Sequence, residues 1–105
     1  MKFLIWVCVD EALVGTADGD PTDWVATAGS RRLEGSRLAD VDNATTLRPR
    51  EGGGTFVSDG PFAETKEQIA GYDILECRDM AEAVELAARH PAAAFGAIEV
   101  RPVWQ

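Results

Sequence analysis

Asp59, Asp73 and His90 are the residues whose neighbours make them candidates for moving a proton. His90 is the only histidine, and it directly precedes Pro91 at the end of a run rich in Ala, Val and Leu that reads as a helix. The partial negative charge of a helix C-terminus favours imidazolium, which suits a proton-transfer group working near neutral pH; the competing role is to cap the last helical carbonyls. Asp59 opens an Asp-Gly-Pro turn. A turn aspartate commonly accepts the N–H two residues on, but here that residue is Pro61, which has none. Its carboxylate is left to the amides of Phe62 or Ala63, to Lys66 or to a ligand, with turn stabilisation as the plainer reading. Asp73 interrupts an otherwise apolar strand, on the side shared by Leu75 and Cys77. An inward carboxylate is costly unless paired, so it is either half of a structural ion pair or a catalytic acid or base. Arg101 is the candidate counter-ion if the strands that carry the two adjoin.

The segment after the turn runs Phe62-Ala63-Glu64-Thr65-Lys66-Glu67. Alternating charge of this kind is by default a solvated loop face, yet the stretch from Gly60 to Ala70 is longer than a hairpin needs, and Lys66 could close over an anion. Phe62, Glu64, Lys66 and Arg101 are therefore the candidate ligand contacts. No metal or other cofactor is expected. One histidine and the distant Cys8 and Cys77 match no metal-ligand spacing, and Gly52-Gly53-Gly54 leads into a strand rather than the helix a phosphate loop requires. Both cysteines lie in apolar strands and read as buried free thiols, and Trp6, Trp24, Tyr72 and Trp104 read as core.

These groups must be positioned by a short series of elements. Phe3 to Val9 reads as a strand apolar on both faces. Asp20-Pro21-Thr22-Asp23 carries helix-start signals, and a helix is expected through about Arg32 with Trp24, Val25, Ala28 and Leu33 buried. Extended pieces broken near Asp42-Asn43 follow, then a turn over 49–54, a strand Thr55-Phe56-Val57, and a strand Gly71 to Cys77 with Tyr72 and Ile74 on one face. Asp79 with Glu82 has the capping-box spacing in its acidic variant and opens a helix to His90 with Met80, Val84 and Ala87 as its buried face. The last strand is Ala97 to Val103. Helices separated by antiparallel strands predict an α+β sheet with both helices on one face, forming one domain over 1–105. The apolar far side of the first strand would then need covering, and a homodimer that apposes two sheets would bury it.

Net charge is −8 and the pI about 4.5. A phosphate-backbone partner needs clustered Lys and Arg, and the one dense basic pair is Arg31-Arg32, so no nucleic acid is expected. Phe3 to Val9 is far short of the ~20 residues that span a bilayer. One lysine before that run and Asp10-Glu11 after it make no leader pattern, so neither a membrane nor a secretory route is expected, and a cytoplasmic location is.

Asp59-Gly60-Pro61-Phe62-Ala63-Glu64-Thr65-Lys66-Glu67, Gly71-Tyr72, Ala87-Ala88-Arg89-His90-Pro91 and Ile98-Glu99-Val100-Arg101-Pro102 together resemble the DGPF-type branch of the YCII-related family. The resemblance is continuous over the second half and weaker over residues 10 to 50. It implies a ferredoxin-like subunit that forms a dimeric α/β barrel. It also implies an isomerase- or lyase-like activity on a small organic molecule, with an Asp and His pair beneath the sheet; the matching residue types are Asp59 and His90, with Asp73 nearby. The same resemblance leaves open a non-catalytic ligand-binding module, or a regulatory accessory to bacterial transcription-initiation sigma factors.

Overall fold

The computed structural model describes residues 1–10 and 20–104. Strand β1 (Lys2–Val9) alternates strictly, with Phe3, Ile5, Val7 and Val9 buried and Leu4, Trp6 and Cys8 partly exposed. It is the centre of an antiparallel sheet ordered β2-β5-β1-β6, with β2 at Arg32–Arg37, β5 at Gln68–Glu76 and β6 at Ala97–Pro102. Helix α1 (Thr22–Ala28) follows β1 in the chain, and α2 (Met80–Ala88) lies between β5 and β6. This is the ferredoxin-like α+β order. Strands β3 (Thr45–Pro49) and β4 (Thr55–Asp59) form a hairpin of their own, paired with each other and inserted between β2 and β5.

The core sits between the sheet and the helices. Phe3, Ile5, Leu75 and Leu86 are its largest fully buried side chains, joined by Trp24 and Ala28 of α1 and by Ala83 and Ala87 of α2. The buried stripe of α2 is Ala83, Leu86 and Ala87, whereas Met80 and Val84 are exposed, so the helix is rotated from the expected Met80–Val84–Ala87 face. Two alanines without bulk let the helix approach the sheet while Leu86 fills the space between them. Its start follows the capping signal. Asp79 accepts the Glu82 N–H at 2.9 Å, and Glu82 reaches back to the Arg78 N–H at 3.0 Å, one residue before the box position. Helix α1 is shorter than expected. It ends at Ala28, with Gly29 at φ 56°, and a 3₁₀ turn over Gly29–Arg31 delivers Arg32 into β2, leaving Leu33 exposed.

The expected barrel is not formed. The sheet is open, with β2 and β6 as its edges, and no paired sheet closes over the face opposite the helices. The reason lies in what flanks β1 there. Trp6 stands opposite Tyr72 on one side and Glu99 on the other, and Leu4 opposite Ile74 and Arg101. Tyr72 donates its hydroxyl to Glu34 at 2.9 Å, and Glu99 pairs with Arg101. Leu4, Trp6 and Cys8 are half-buried within the described chain, so this face is not the bare apolar surface from which a homodimer was expected. Among the described residues no helix is long and apolar enough to cross a membrane.

Candidate functional site

Beneath the inner face of the sheet, walled by α1 and by the segment that follows α2, lies a cavity of about 500 Å³. Its walls include Val7 and Val9 of β1, Trp24 and Val25 of α1, Arg32 and Arg37 of β2, Asp73 of β5, and His90 and Phe95 after α2. Asp73 and His90 are the two buried polar or charged side chains of the described chain, at 5% and 8% exposure, and both line this hollow.

Asp73 is held by Arg32, whose Nε donates to Oδ1 at 2.7 Å. Arg101, the counter-ion expected from sequence, is on the other face of the sheet with Glu99. A bulge decides the matter. The β2–β5 register slips between Arg32 and Glu34, so Arg32 stands opposite Leu75 and Gly35 opposite Asp73, both on the inner face, although one is odd-numbered and the other even. Gly35 is required there, because a Cβ at that position would lie 2.0 Å from Asp73 Oδ1 and 2.5 Å from an Arg32 Nη. Burial pushes the Asp73 carboxyl above its ordinary value, against the pull of the Arg32 hydrogen bond and charge and of His90.

His90 reaches the cavity through the break that Pro91 imposes. Its backbone is extended at φ −64°, ψ 134°, as a residue before proline prefers, and its N–H still bonds Ala87 at 3.0 Å. The ring therefore turns away from the end of α2. Instead of donating to the helix carbonyls, Nδ1 accepts the Ala92 N–H at 3.0 Å and caps the 3₁₀ turn Pro91–Ala94. Trp24 holds the ring edge-on at 4.8 Å and donates its own indole N–H to the Leu86 carbonyl at 2.8 Å, tying α1 to the last turn of α2. With Nδ1 committed as an acceptor, the neutral imidazole carries its proton on Nε2. Nε2 makes no hydrogen bond among the described residues, and no buried side-chain N or O among them lacks a partner, so Nε2 is open to the cavity. Burial lowers the His90 pKa; Asp73 opposes that shift and Arg32 adds to it. The helix-end charge expected to favour imidazolium is not what acts on the ring, which is turned off the helix end and lowered in pKa chiefly by desolvation.

Asp59 lies at the exposed end of β4, outside the cavity walls, and makes no side-chain hydrogen bond or ion pair among the described residues. Phe62, Glu64 and Lys66 are likewise exposed on the loop that follows. The cavity thus brings together two of the sequence candidates, Asp73 and His90, and adds Arg32 and Arg37, which sequence reasoning missed. The signal for Arg32 was Gly35, a glycine inside a strand. Cys8 and Cys77 are free, the first half-buried and the second buried, and burial raises both thiols above their ordinary value, away from the thiolate form. No cluster of three or more His, Cys, Asp or Glu side chains among the described residues could hold a metal ion.

Fold and cavity define a ferredoxin-like α+β protein whose ionisable groups gather beneath the sheet. The chain belongs to the YCII-related domain family, whose model matches residues 1–105. A curated relative, Uncharacterized protein R00369 of Rhizobium meliloti (strain 1021), is 43% identical over 70 residues, which is 65% of this chain and 56% of that protein. The same fold occurs in a solved enzyme, the 5-chloro-2-hydroxyhydroquinone dehydrochlorinase TftG of Burkholderia phenoliruptrix AC1100 in complex with 2,5-dihydroxybenzoquinone. It superposes with a TM-score of 0.54 at 16% identity, over 100% of this chain and 94% of that one.

Proposed function

We propose that the protein is an enzyme of the proton-transfer class, isomerase- or lyase-like, acting on a small organic molecule bound in the cavity beneath the sheet. The observation that carries this reading is the convergence of Asp73 and His90 on one hollow from opposite sides of the fold. Their roles follow from their hydrogen bonds. Asp73 spends Oδ1 on Arg32 and keeps Oδ2 for a ligand; a carboxylate made more basic by burial is a better acceptor for a proton on carbon. His90 is then not the base. Its Nε2–H donates to a ligand oxygen and stabilises negative charge that develops there, while Nδ1 stays bonded to Ala92. Asp59, the sequence candidate for the acid–base partner, gives way to Asp73 in this scheme.

The ligand of the solved enzyme, 2,5-dihydroxybenzoquinone, is a planar molecule whose ring hydrogens exchange through keto–enol tautomers, and it is the probe of choice. In deuterated buffer the wild-type protein is expected to accelerate loss of its ring proton signal. Asp73→Asn should lower that acceleration by about 100-fold, the scale of a general base. Saturable binding with no acceleration would instead favour the non-catalytic ligand-binding reading.

A further inference from the structure

The sheet edge that supplies Arg32 also supplies Arg37, which lies opposite Gly71 on the same inner face and lines the same cavity. Arg37 has no ion pair and no side-chain hydrogen bond among the described residues. Arg32 gives only its Nε to Asp73, and its Nη groups make no further hydrogen bond there. In a chain of net charge −8, two guanidinium groups with unspent donors facing one hollow are a local reversal of sign. The acidic side chains that share the cavity are otherwise engaged. Asp73 is bound to Arg32, and Asp20 accepts the N–H and hydroxyl of Thr22 at 2.9 and 2.6 Å. Most of the remaining wall is aromatic or aliphatic, Trp24, Phe95, Val7 and Val9 among its residues.

We infer that Arg37, together with the free Nη groups of Arg32, selects small planar organic acids, which bind with the carboxylate on β2 and the apolar body against Trp24 and Phe95. A guanidinium presents paired N–H donors that match the two oxygens of a carboxylate, which a neutral amide cannot reproduce. Anchoring the charged end on β2 leaves the body of the ligand over Asp73 and His90. The inference rests on the reading of this cavity as the ligand site, and it concerns which ligands enter rather than what happens to them.

Benzoate and benzamide are isosteric probes that differ in charge, and His90 reports on both, because the chain has one histidine and its ring signal in proton NMR needs no assignment. At neutral pH benzoate is expected to shift that signal saturably, with a Kd at least tenfold below that of benzamide. Arg37→Gln, a change at an exposed residue without partners, should weaken benzoate by about tenfold, or 1.4 kcal/mol, and leave benzamide unchanged; Arg37→Lys should recover part of the difference. Equal affinities for the two probes, no saturable shift with either, or benzoate binding indifferent to Arg37→Gln would overturn the inference. Charge selection without deuterium exchange on 2,5-dihydroxybenzoquinone would remove the proposed proton transfer and keep this assignment; exchange without charge selection would do the reverse.

Discussion

The β3–β4 hairpin with its following loop, and the cavity under the sheet, divide the molecule's polar chemistry in opposite ways. The hairpin region holds the densest motif, and it is fastened by Thr46, Arg48 and Gln68 bonding backbone carbonyls while the charged groups of the motif are left to solvent. Gly60 takes φ 98° and donates to Ala44 at 2.7 Å, while the Thr46 hydroxyl bonds the Gly60 carbonyl at 2.7 Å. Arg48 bonds the Phe62 carbonyl at 2.8 Å, and Gln68 bonds those of Ala63 and Thr65 at 3.0 and 2.9 Å. Asp59, Glu64 and Lys66 face solvent. A second hollow of about 540 Å³ lies against this hairpin, but its walls are mostly apolar or neutral, with Asp40 the one ionisable side chain. The slightly smaller cavity beneath the sheet gathers Asp20, Arg32, Arg37, Asp73 and His90. A conspicuous string of charged residues can thus be no more than a solvated loop face, while Asp73 and His90, whose proton affinities burial shifts, come from a strand and from the break after a helix.

The largest expected effect tests that division by stability. Asp73→Ala leaves the Arg32 guanidinium without its partner and should cost about 2 kcal/mol. That is less than the ~3–5 kcal/mol of breaking a fully buried pair, because Arg32 keeps some contact with water and burial already disfavours the Asp73 charge. Asp59→Ala, at an exposed and unpaired residue, should stay within about 0.5 kcal/mol. Urea unfolding of the two variants beside wild type measures the contrast, and equal losses would erase it. Gly35→Ala comes next. Its methyl carbon would lie 2.0 Å from Asp73 Oδ1, so the pair must move, at about 1–2 kcal/mol of overpacking. The same variant should impair ligand binding in the cavity, whereas Gly53→Ala, with open space around it, strains only the hairpin turn.

What the sequence disclosed about these regions depended on range. The alternation of β5 and β6 and the Asp79–Glu82 start of α2 are local patterns, and each is present, although β5 begins three residues before the expected Gly71. The inward direction of Asp73 was legible for the same reason. Its partner was not, because strand adjacency is a long-range property and because the bulge at Arg32 to Glu34 shifts one residue's facing without any mark in composition. Arg101 fails as that partner because β1 separates β5 from β6 and because it lies on the opposite face of the sheet. The orientation of α2 was missed because Met80 and Val84 are more apolar than Ala83, yet small size governs where a helix meets a sheet. For His90, the proline was read as a stop signal. Its further consequence, an extended residue whose ring swings to the next turn, takes the ring off the helix end and into the hollow.

A smaller effect comes from the titration of His90. Its folded pKa lies below the unfolded value near 6.5, so between those two values the unfolded chain holds a proton that the folded chain does not. Stability therefore falls as pH drops below about 6.5 and levels off below the folded pKa. Asp73, whose folded pKa is raised, acts with the opposite sign in a more acidic window, between its unfolded value near 3.9 and its folded one: there the folded state binds the extra proton, and stability rises as pH falls. His90→Asn isolates the first contribution, because the amide oxygen of asparagine can still accept the Ala92 N–H while having no proton to gain. Urea midpoints from about pH 7.5 to about pH 5 should decline less in this variant than in wild type; parallel curves would mean that His90 titrates as it does in the unfolded chain.

The finest discrimination between the two regions uses His90 as a probe of which aspartate it senses. Asp73 holds the His90 pKa up against burial, and no such influence of Asp59 acts on the ring. Neutralising Asp73 as Asn should therefore move the His90 titration midpoint further toward acid, while Asp59→Asn should leave it where it is. Proton NMR of the single histidine reads both directly. An acid-ward shift with Asp59→Asn and none with Asp73→Asn would return the acid–base pairing to the turn motif. Asn at position 73 retains an oxygen for the Arg32 Nε–H, so a shift there reports lost charge rather than a collapsed wall. The coupling survives without a hydrogen bond between the two side chains because both sit in a poorly solvated hollow, where charges act over longer distances than they do on the water-exposed hairpin.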